Sequence, residues 1–594
     1  MENKKQAIIL SGVAIVALLA LIIGATFAYF QATSNSSSNT NVNVTTYTTD
    51  LLTFEMGGDI KINADQTSFA SGKGNATGST FAKAILTANN KTNTATKNYY
   101  MYLNISNNTF TYTQNENTPE LLLTITDVSG NAITSITGLT YKTVIDGKGT
   151  SVSGFDITTK SGLLTLFDNR EITASPTKTE EWNVTVTFVN YNVNQTGNAG
   201  KSFNAKLMIQ QEEYELTLAD ICAGKTLSDC VISQYTGTQG DNALYYHNST
   251  LTNGAGDNSY RYAGGDYVLT EAGKATGATM MIGYNNSVTT ALIDFYCNGT
   301  KQYVGYASSC STSHYYLIKG DTTQYQTYNE ALNASVEKGY LTKDNVKNFV
   351  CFGSDATTCP TENLYRIIGV FNNHVKLIKY DYAKSSLLGT DGDFSQEYTS
   401  NYFSGEQGES PSSNSLYYWN NAGTNTWSAS KLNTVNLNTN FTTNIGTAWA
   451  NKIATTTWKV GGGTYANLRD AVPKTAYQYE VGSSASTTTY DAKIGLMYVS
   501  DYGFAASPDA WTLTMSSYNN TTVTNNNWMY MGLYEWTISR YADNSNSAFC
   551  VYNDGRVLNF NVYYSYGVRA SFSLESSVSY VSGSGSMSDP IVIN

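Results

Sequence analysis

Few residues in this chain have both the type and the spacing to make or break bonds. The 594 residues include three histidines, His247, His314 and His374, and none lies in an HExxH or other paired spacing. That removes most zinc-hydrolase arrangements, and with so few histidines no Ser/His/Asp arrangement is proposed. Asp501 and Glu535 are acidic, but nothing in the sequence brings them together as a general acid and base. The triplet Gly461-Gly462-Gly463 is followed by no GK(S/T) and opens no phosphate loop. Asn253–Gly265 (NGAGDNSYRYAGG) has the oxygen-rich composition of a cation loop, but its spacing fails the EF-hand pattern and a glycine-rich turn is the simpler reading. No metal, no cofactor and no enzymatic activity are expected.

Seven cysteines are present. Six fall into close pairs, Cys222 with Cys230, Cys297 with Cys310 and Cys351 with Cys359, and each pair would close a short loop as a local disulfide in an oxidising compartment. Other connectivities stay open at this level. Cys550 is left over. It lies inside the stretch Tyr541–Tyr566, YADNSNSAFCVYNDGRVLNFNVYYSY, where the recognition chemistry concentrates. Val551, Val557 and Val562 space that stretch, Val568 follows it, and Asp554-Gly555 supplies a hairpin-type turn. Between the valines stand Tyr, Asn, Ser, Asp and Phe, residues typical of binding loops because Tyr gives large amphipathic contact area at low entropy cost. The expected ligand contacts are Tyr541, Asp543, Asn544, Asn546, Phe549, Tyr552, Asn553, Asp554, Arg556, Asn559, Phe560, Asn561, Tyr563, Tyr564, Ser565 and Tyr566. Asp554 and Arg556 are set to meet a charged ligand group, although solvation of the turn explains them equally well. The chain has 46 tyrosines, so richness in Tyr alone decides nothing.

The elements that must carry this stretch follow from composition and periodicity. Net charge is −11 with only 14% charged residues and no basic stripe, so nucleic acid is not an expected partner. Residues 7–30 form an apolar run behind Lys4 and Lys5, about 36 Å long as a helix and enough to cross a bilayer. The flanking charge places the remainder outside the membrane. Both a cleaved signal peptide, with Thr26-Phe27-Ala28 as the small-residue site, and a retained anchor fit residues 1–32. The Ser/Asn/Thr-rich segment from Gln31 to Asp50 reads as a stalk.

From Leu51 to Glu213 the pattern is strand-like. Tyr99, Met101, Leu103 and Ile105 alternate with polar neighbours, as do Leu121, Leu123 and Ile125; Trp182, Val184, Val186 and Phe188; and Phe203, Ala205, Leu207 and Ile209. Period-2 alternation with short turns predicts an all-β sandwich over 33–213. Residues 214–340 read as a connecting region in which Thr327-Tyr328-Asn329-Glu330 opens a packing helix stopped by Gly339. From 341 onward an α+β domain is expected. It contains a hairpin of Leu364–Val370 and Val375–Tyr380, a helix with Phe441, Ile445, Trp449 and Ile453 on one face, and a buried strand at Ile494–Val499.

Two resemblances bear on this order. The segment ending Ala25–Phe30, the strand Trp182–Asn190, the turn Asn194–Gly200 and Lys201–Gln210 resemble the TasA/camelysin family of Gram-positive exported proteins. That likeness covers residues 1–213 and implies a jelly-roll-like sandwich that often assembles into surface fibres, and so a homo-oligomer. The protease activity once associated with camelysin has no metal-ligand spacing behind it here. Residues 341–594 resemble C-type-lectin-like domains of the formylglycine-generating-enzyme type through Glu535–Arg540 (EWTISR), Gly555 and Gly567–Phe572 (GVRASF). Related bacterial surface proteins have VRPxF there, where this chain has Ala570. The enzyme's catalytic cysteine pair and the lectin calcium motifs EPN and WND have no counterpart.

The same fold type carries the variable proteins of diversity-generating retroelements, in which adenines of AAY codons are randomised. Such substitution yields no Lys, Gln, Glu, Met or Trp, and Tyr541–Tyr566 contains none of the five, whereas the flanks hold Glu535, Trp536 and Glu575. The expectation is an exported, Gram-positive-type cell-surface protein that binds a protein or glycan on another cell, phage or host. A fixed lectin-like domain, a fibre subunit and a thiol enzyme through Cys550 are the alternatives.

Overall fold

The computed structural model describes residues 50–594 apart from 66–67, 69–71, 90–92, 116, 215, 284–288, 304–309, 311–312, 344 and 405–407. The apolar run 7–30 expected as a signal peptide or anchor lies outside the described residues. Among those described, no helix is long and apolar enough to cross a membrane. The chain is built mostly of β-strands and divides into two compact units, Met1–Leu216 and Thr217–Asn594.

The first unit is two antiparallel sheets. Its strands are β1 (Leu51–Met56), β2 (Ile60–Asn63), β3 (Ala76–Thr87), β4 (Ala95–Asn108), β5 (Leu121–Asp127), β6 (Tyr141–Ile145), β7 (Ser151–Asp156), β8 (Gly162–Ala174), β9 (Thr177–Phe188) and β10 (Ser202–Gln210). One sheet runs β1-β3-β9-β5-β7-β6 and the other β2-β10-β4-β8. A strand turns successive side chains to opposite faces, so the alternating apolar residues of β4, β5, β9 and β10 all point one way. Each of the positions Tyr99 to Ile105, Leu121 to Ile125, Trp182 to Phe188 and Phe203 to Ile209 picked out by that alternation is buried, and together they form one core between the sheets. A slip of one residue would turn every one of them to solvent, which fixes the register. The strands β9 and β10, read together in the sequence, do not pair: β9 lies between β3 and β5, and β10 between β2 and β4, so the chain crosses from one sheet to the other between them.

The region 214–340, nearly all of it in the second unit, does not merely connect. Tyr260–Tyr262 pairs with Leu364–Phe371, which pairs in turn with Phe349–Cys351 and with His374–Lys379. Leu244–Tyr246, which pairs with Tyr260–Tyr262, and Ser571–Ser573 and Ile494–Gly495 complete this antiparallel sheet, and residues from Cys222 to Ile593 share one apolar core. The expected hairpin turns at Asn372 and Asn373, whose φ of 48° and 64° are the left-handed values a two-residue turn requires. The Tyr328–Glu337 helix begins with the expected capping box and packs Tyr328 and Leu332 inward.

The sequence left the cysteine connectivity open, and the structure resolves it to the local pairing. Cys222 is bridged to Cys230, Cys297 to Cys310 and Cys351 to Cys359. The first bridge ties the short helix Leu218–Cys222 to the helix Leu227–Ser233, and both of its cysteines are buried in the core. In the third, Cys351 ends a strand of the central sheet and Cys359 lies in the loop that returns to Leu364. Three such bridges fit an oxidising, extracellular compartment.

Two expectations are corrected. The apolar face from Phe441 to Ile453 does not lie on one continuous helix: Gly446, at φ 83° and ψ 154°, separates Thr442–Asn444 from Thr447–Ala450. Phe441, Trp449 and Ile453 are buried all the same. The apolar run Ile494–Val499 is a strand only at Ile494–Gly495, and Val499 already starts the Val499–Ala505 helix.

Buried ion pairs tie early and late parts of this unit. Arg366, on the central strand, donates from Nη1 to Asp266 Oδ2 at 2.7 Å, from Nη2 to Asp266 Oδ1 at 2.6 Å and from Nε to Asn348 Oδ1 at 2.7 Å. Its guanidinium lies against the rings of Phe349 and Trp528. Removing one partner of such a pair strands a charge in the interior. Asp266→Asn is expected to destabilise the Thr217–Asn594 unit by about 3–5 kcal/mol. In chemical denaturation of the full chain the transition of that unit should move to lower denaturant and the transition of the sandwich should stay; an unmoved transition would show that the pair holds nothing.

Candidate functional site

The Tyr541–Tyr566 stretch folds onto a three-stranded antiparallel sheet of Glu535–Arg540, Ser547–Val551 and Val557–Asn561. The spacing valines are its foundation: Val551, Val557, Val562 and Val568 are all buried. β-Branched side chains suit a pleated surface packed on both sides, which is why they recur where the strands meet the core. The Asp554-Gly555 turn forms as expected, with Gly555 at φ 94°, and Gly555 N–H donates to Tyr552 O at 2.9 Å.

Both ends of the stretch are clamped. Arg569 donates from Nε to Glu535 Oε1 at 2.7 Å and from Nη2 to Glu535 Oε2 at 2.9 Å, with a further bond from Nη2 to Met529 O at 2.7 Å. Trp536 N–H donates to Gly567 O and Gly567 N–H to Tyr534 O. Burial pushes the Glu535 carboxyl up and the guanidinium beside it pulls it back, so charge on Glu535 depends on Arg569. Asp501 is partnered elsewhere, by Lys376, so the two acids of the sequence form no acid/base pair.

The first loop is held by a side chain the sequence did not single out. Asn425 donates from Nδ2 to the carbonyls of Tyr541, Asn544 and Ser547, and its N–H donates to Ser545 O. Gly462 explains the glycine triplet: at φ 63°, a Cβ there would sit 1.9 Å from Arg540 O. Gly463 exchanges backbone hydrogen bonds with Arg540 and Ala542, so the triplet is a close-packing edge beneath this loop.

Placed on this scaffold, the predicted contacts separate into three groups. Asp543, Asn544, Asn553, Tyr563 and Tyr564 are well exposed, the two tyrosines at 45% each. Tyr541, Asn546, Tyr552, Asp554, Arg556, Asn559, Phe560, Asn561, Ser565 and Tyr566 are half-buried. Phe549 has no exposure; it lies in the core against Tyr465 and Tyr541 and is not a surface contact. Asp554 and Arg556 pair with each other at 2.8 Å across the turn, which neutralises both. Asn561 Nδ2 donates to Tyr563 Oη at 2.8 Å.

The rings gather into one face. Tyr552 and Tyr566 pack on Tyr534 at 4.4 and 4.9 Å between centroids, Phe560 lies 5.6 Å from Tyr566, and Tyr563 and Tyr564 extend the row at 5.3 Å from each other. Tyr534 stands outside the predicted stretch and belongs to this face; the sequence offered no signal for it beyond its place next to Glu535. A second, smaller platform is the stack of Tyr541 on Tyr465 at 4.4 Å, with Arg469 over Tyr465. Offset and edge-on ring contacts contribute about 0.5–1.5 kcal/mol each beyond burial, so the rings hold one another in place. Below it Cys550 is buried and unbridged, opposite Trp536 and Leu558. Burial pushes its thiol well up, which withholds the thiolate that thiol chemistry needs. Among the described residues no cluster of His, Cys, Asp or Glu is placed to hold a metal ion.

No known protein family matches the chain. No curated protein matches it either.

The clamp gives a pH-dependent prediction. Arg569→Met leaves the Glu535 carboxylate buried without its cation, at a cost of about 3–5 kcal/mol near neutral pH. An acid whose folded pKa is raised contributes stability below its unfolded pKa and loses it as pH rises through the folded value. The deficit of the variant should therefore be largest at neutral pH and shrink as pH falls toward about 3, below the unfolded carboxyl value, where Glu535 is mostly protonated in both states. Thermal melts across that range check it; a deficit that does not vary with pH would separate Glu535 from the effect.

Proposed function

We propose that this is an exported cell-surface binding protein whose Thr217–Asn594 unit, of C-type-lectin-like type, presents the Tyr541–Tyr566 stretch as a recognition face diversified by a retroelement. The observation that carries the reading is the division of labour along that stretch. Val551, Val557, Val562 and the flanking Trp536 and Val568 are buried, while the Tyr, Asn and Asp side chains between them stand partly or well exposed. Substitution at the exposed positions therefore costs the core little, as surface changes generally fall within about 0.5 kcal/mol. Tyr563, Tyr564 and Tyr552 would serve as rigid anchors and Asn544, Asn553 and Asp543 as adaptable hydrogen-bonders. The buried, protonated Cys550 favours binding over thiol chemistry. The sandwich of the first unit, with its likeness to TasA/camelysin proteins, is read as the spacer that carries the head away from the cell.

Sequencing the gene and its flanks in sibling isolates tests diversification. The expected result is a near-copy of the Trp528–Phe572 coding region beside a reverse transcriptase, with differences confined to codons derived from template adenines and absent from the valine codons. Differences scattered evenly over the domain would overturn it. The face itself is tested by replacing Tyr563 and Tyr564 together with Ala. Their removal is expected to cost about 1–3 kcal/mol in stability through the lost ring contacts with Phe560 and Tyr566, which leaves the domain folded, and to abolish adhesion of the full chain to whichever cells or phage the parent protein binds. Unchanged adhesion would assign recognition elsewhere.

A further inference from the structure

A cleft of about 440 Å³ opens in the Thr217–Asn594 unit away from the hairpin; none of residues 541–566 lines it. Its base is a chain of buried charges. Arg261 and Lys376 have side chains only 2% and 9% exposed, and Asp501, at 4%, lies between them. Lys376 Nζ donates to Asp501 Oδ2 at 2.5 Å, and that oxygen also accepts the N–H of Tyr498 at 2.9 Å. Arg261 spends Nε on Ser259 Oγ at 2.8 Å and Nη2 on Asp257 Oδ2 at 2.6 Å. Its Nη1 forms a long ion pair, 4.0 Å from Asp501 Oδ1, and has no hydrogen-bond partner among the described residues. Lys376 uses one of its three N–H donors.

The unused hydrogen-bonding capacity at the floor is thus cationic on both sides, with Asp501 Oδ1 between them at ion-pair distance from Arg261 but accepting no hydrogen bond among the described residues. Taken over the lining, three cations (Arg261, Lys376, Lys459) face two carboxylates (Asp257, Asp501), an excess of one positive charge. The walls are rings: Tyr498 and Trp458 stand 4.7 and 5.4 Å from Lys376 Nζ, and Tyr477 lies 5.2 Å from the Arg261 guanidinium. Buried cationic donors are costly unless acceptors meet them, and an aromatic-walled cleft of this size with a few convergent polar groups is the usual form of a small-molecule site.

We propose that this cleft binds a small monocarboxylate with a ring-shaped body. The carboxylate would accept from Arg261 Nη1 and Lys376 Nζ, and the ring would lie against Trp458 and Tyr498. Charge selects the class: one excess cation suits a monoanion, whereas the two carboxylates already in the cleft oppose a dianion such as phosphate. The ring is aromatic or that of a sugar acid; the walls accept both, and the test separates them.

The experiment titrates the full chain with benzoate, hippurate and glucuronate, and with benzamide and methyl glucoside as neutral counterparts, by saturation-transfer NMR and calorimetry. At least one carboxylate is expected to bind with a Kd of about 1 mM or tighter, and its neutral counterpart about 10-fold or more weakly. Benzoate or hippurate binding assigns an aromatic acid, glucuronate binding a sugar acid. Lys376→Met should weaken binding at least about 10-fold. If that variant fails to fold, Thr455→Trp decides: Thr455 is an exposed residue at the cleft, and a tryptophan there blocks access without touching the ion pairs. No binding by any of the three acids, equal binding of the neutral counterparts, or full binding by Thr455→Trp would overturn the proposal. None of these outcomes depends on the hairpin face, which the Tyr563 and Tyr564 double variant tests separately.

Discussion

The two-pronged contact between Glu535 and Arg569 is the constraint on which the surface of the second unit depends. The two residues stand just before and just after the stretch they enclose, both are buried, and their two hydrogen bonds fix where that stretch leaves the core and where it returns. The backbone exchange of Tyr534, Trp536 and Gly567 lies beside them. Once the ends of a loop are set, the entropic cost of closing it no longer has to be met by contacts within it. The side chains between are then free to be chosen for what they present outward. An ion pair in such a place is no great source of net stability compared with apolar packing, but losing one half of it is severe.

The sandwich was nearly transparent in the sequence, because strand alternation is a period-2 signal and one face of each strand enters the core. The valines and the Asp554-Gly555 turn were legible for the same reason. The helix through Phe441 and Ile453 was not, since every-fourth-residue spacing survives a break at Gly446 that only the backbone reveals. Ile494–Val499 looked like a strand because apolar runs of that length carry no period, and burial on all sides is equally the mark of a core helix start. Phe549 illustrates the limit at the site: its residue type matches its exposed neighbours, yet it lies on the inward side with Tyr465. Glu535 and Arg569 were visible as motif residues but not as partners, because long-range pairing leaves no trace in spacing.

Charge is distributed in this unit against its composition. Few residues are charged, yet Arg261, Arg366, Lys376 and Arg569 are all buried, each paired with a carboxylate and each lying near aromatic rings. Rings attract cations through their electron-rich faces and exclude water that would screen the pairs. The outer face of the hairpin is the reverse: its one charged pair, Asp554 and Arg556, is internally neutral. Charge therefore organises the interior, while the outer side of the hairpin carries mainly uncharged rings and amides, with Asp543 its one exposed charge outside the Asp554–Arg556 pair.

The three disulfides, Cys222 to Cys230, Cys297 to Cys310 and Cys351 to Cys359, join cysteines only 8, 13 and 8 positions apart. A chain emerging from its N-terminal end can close each bridge soon after the second cysteine appears, before the next pair arrives. No bridge has to wait for the distal domain, and no early cysteine is left open to a wrong partner far down the chain. Cys550 comes last, after all six others are spent, and reaches its place as a single thiol with no competitor left to bridge. The order of the cysteines along the chain thus keeps each correct partner nearer in sequence than any wrong one, which favours the native pairing by proximity alone.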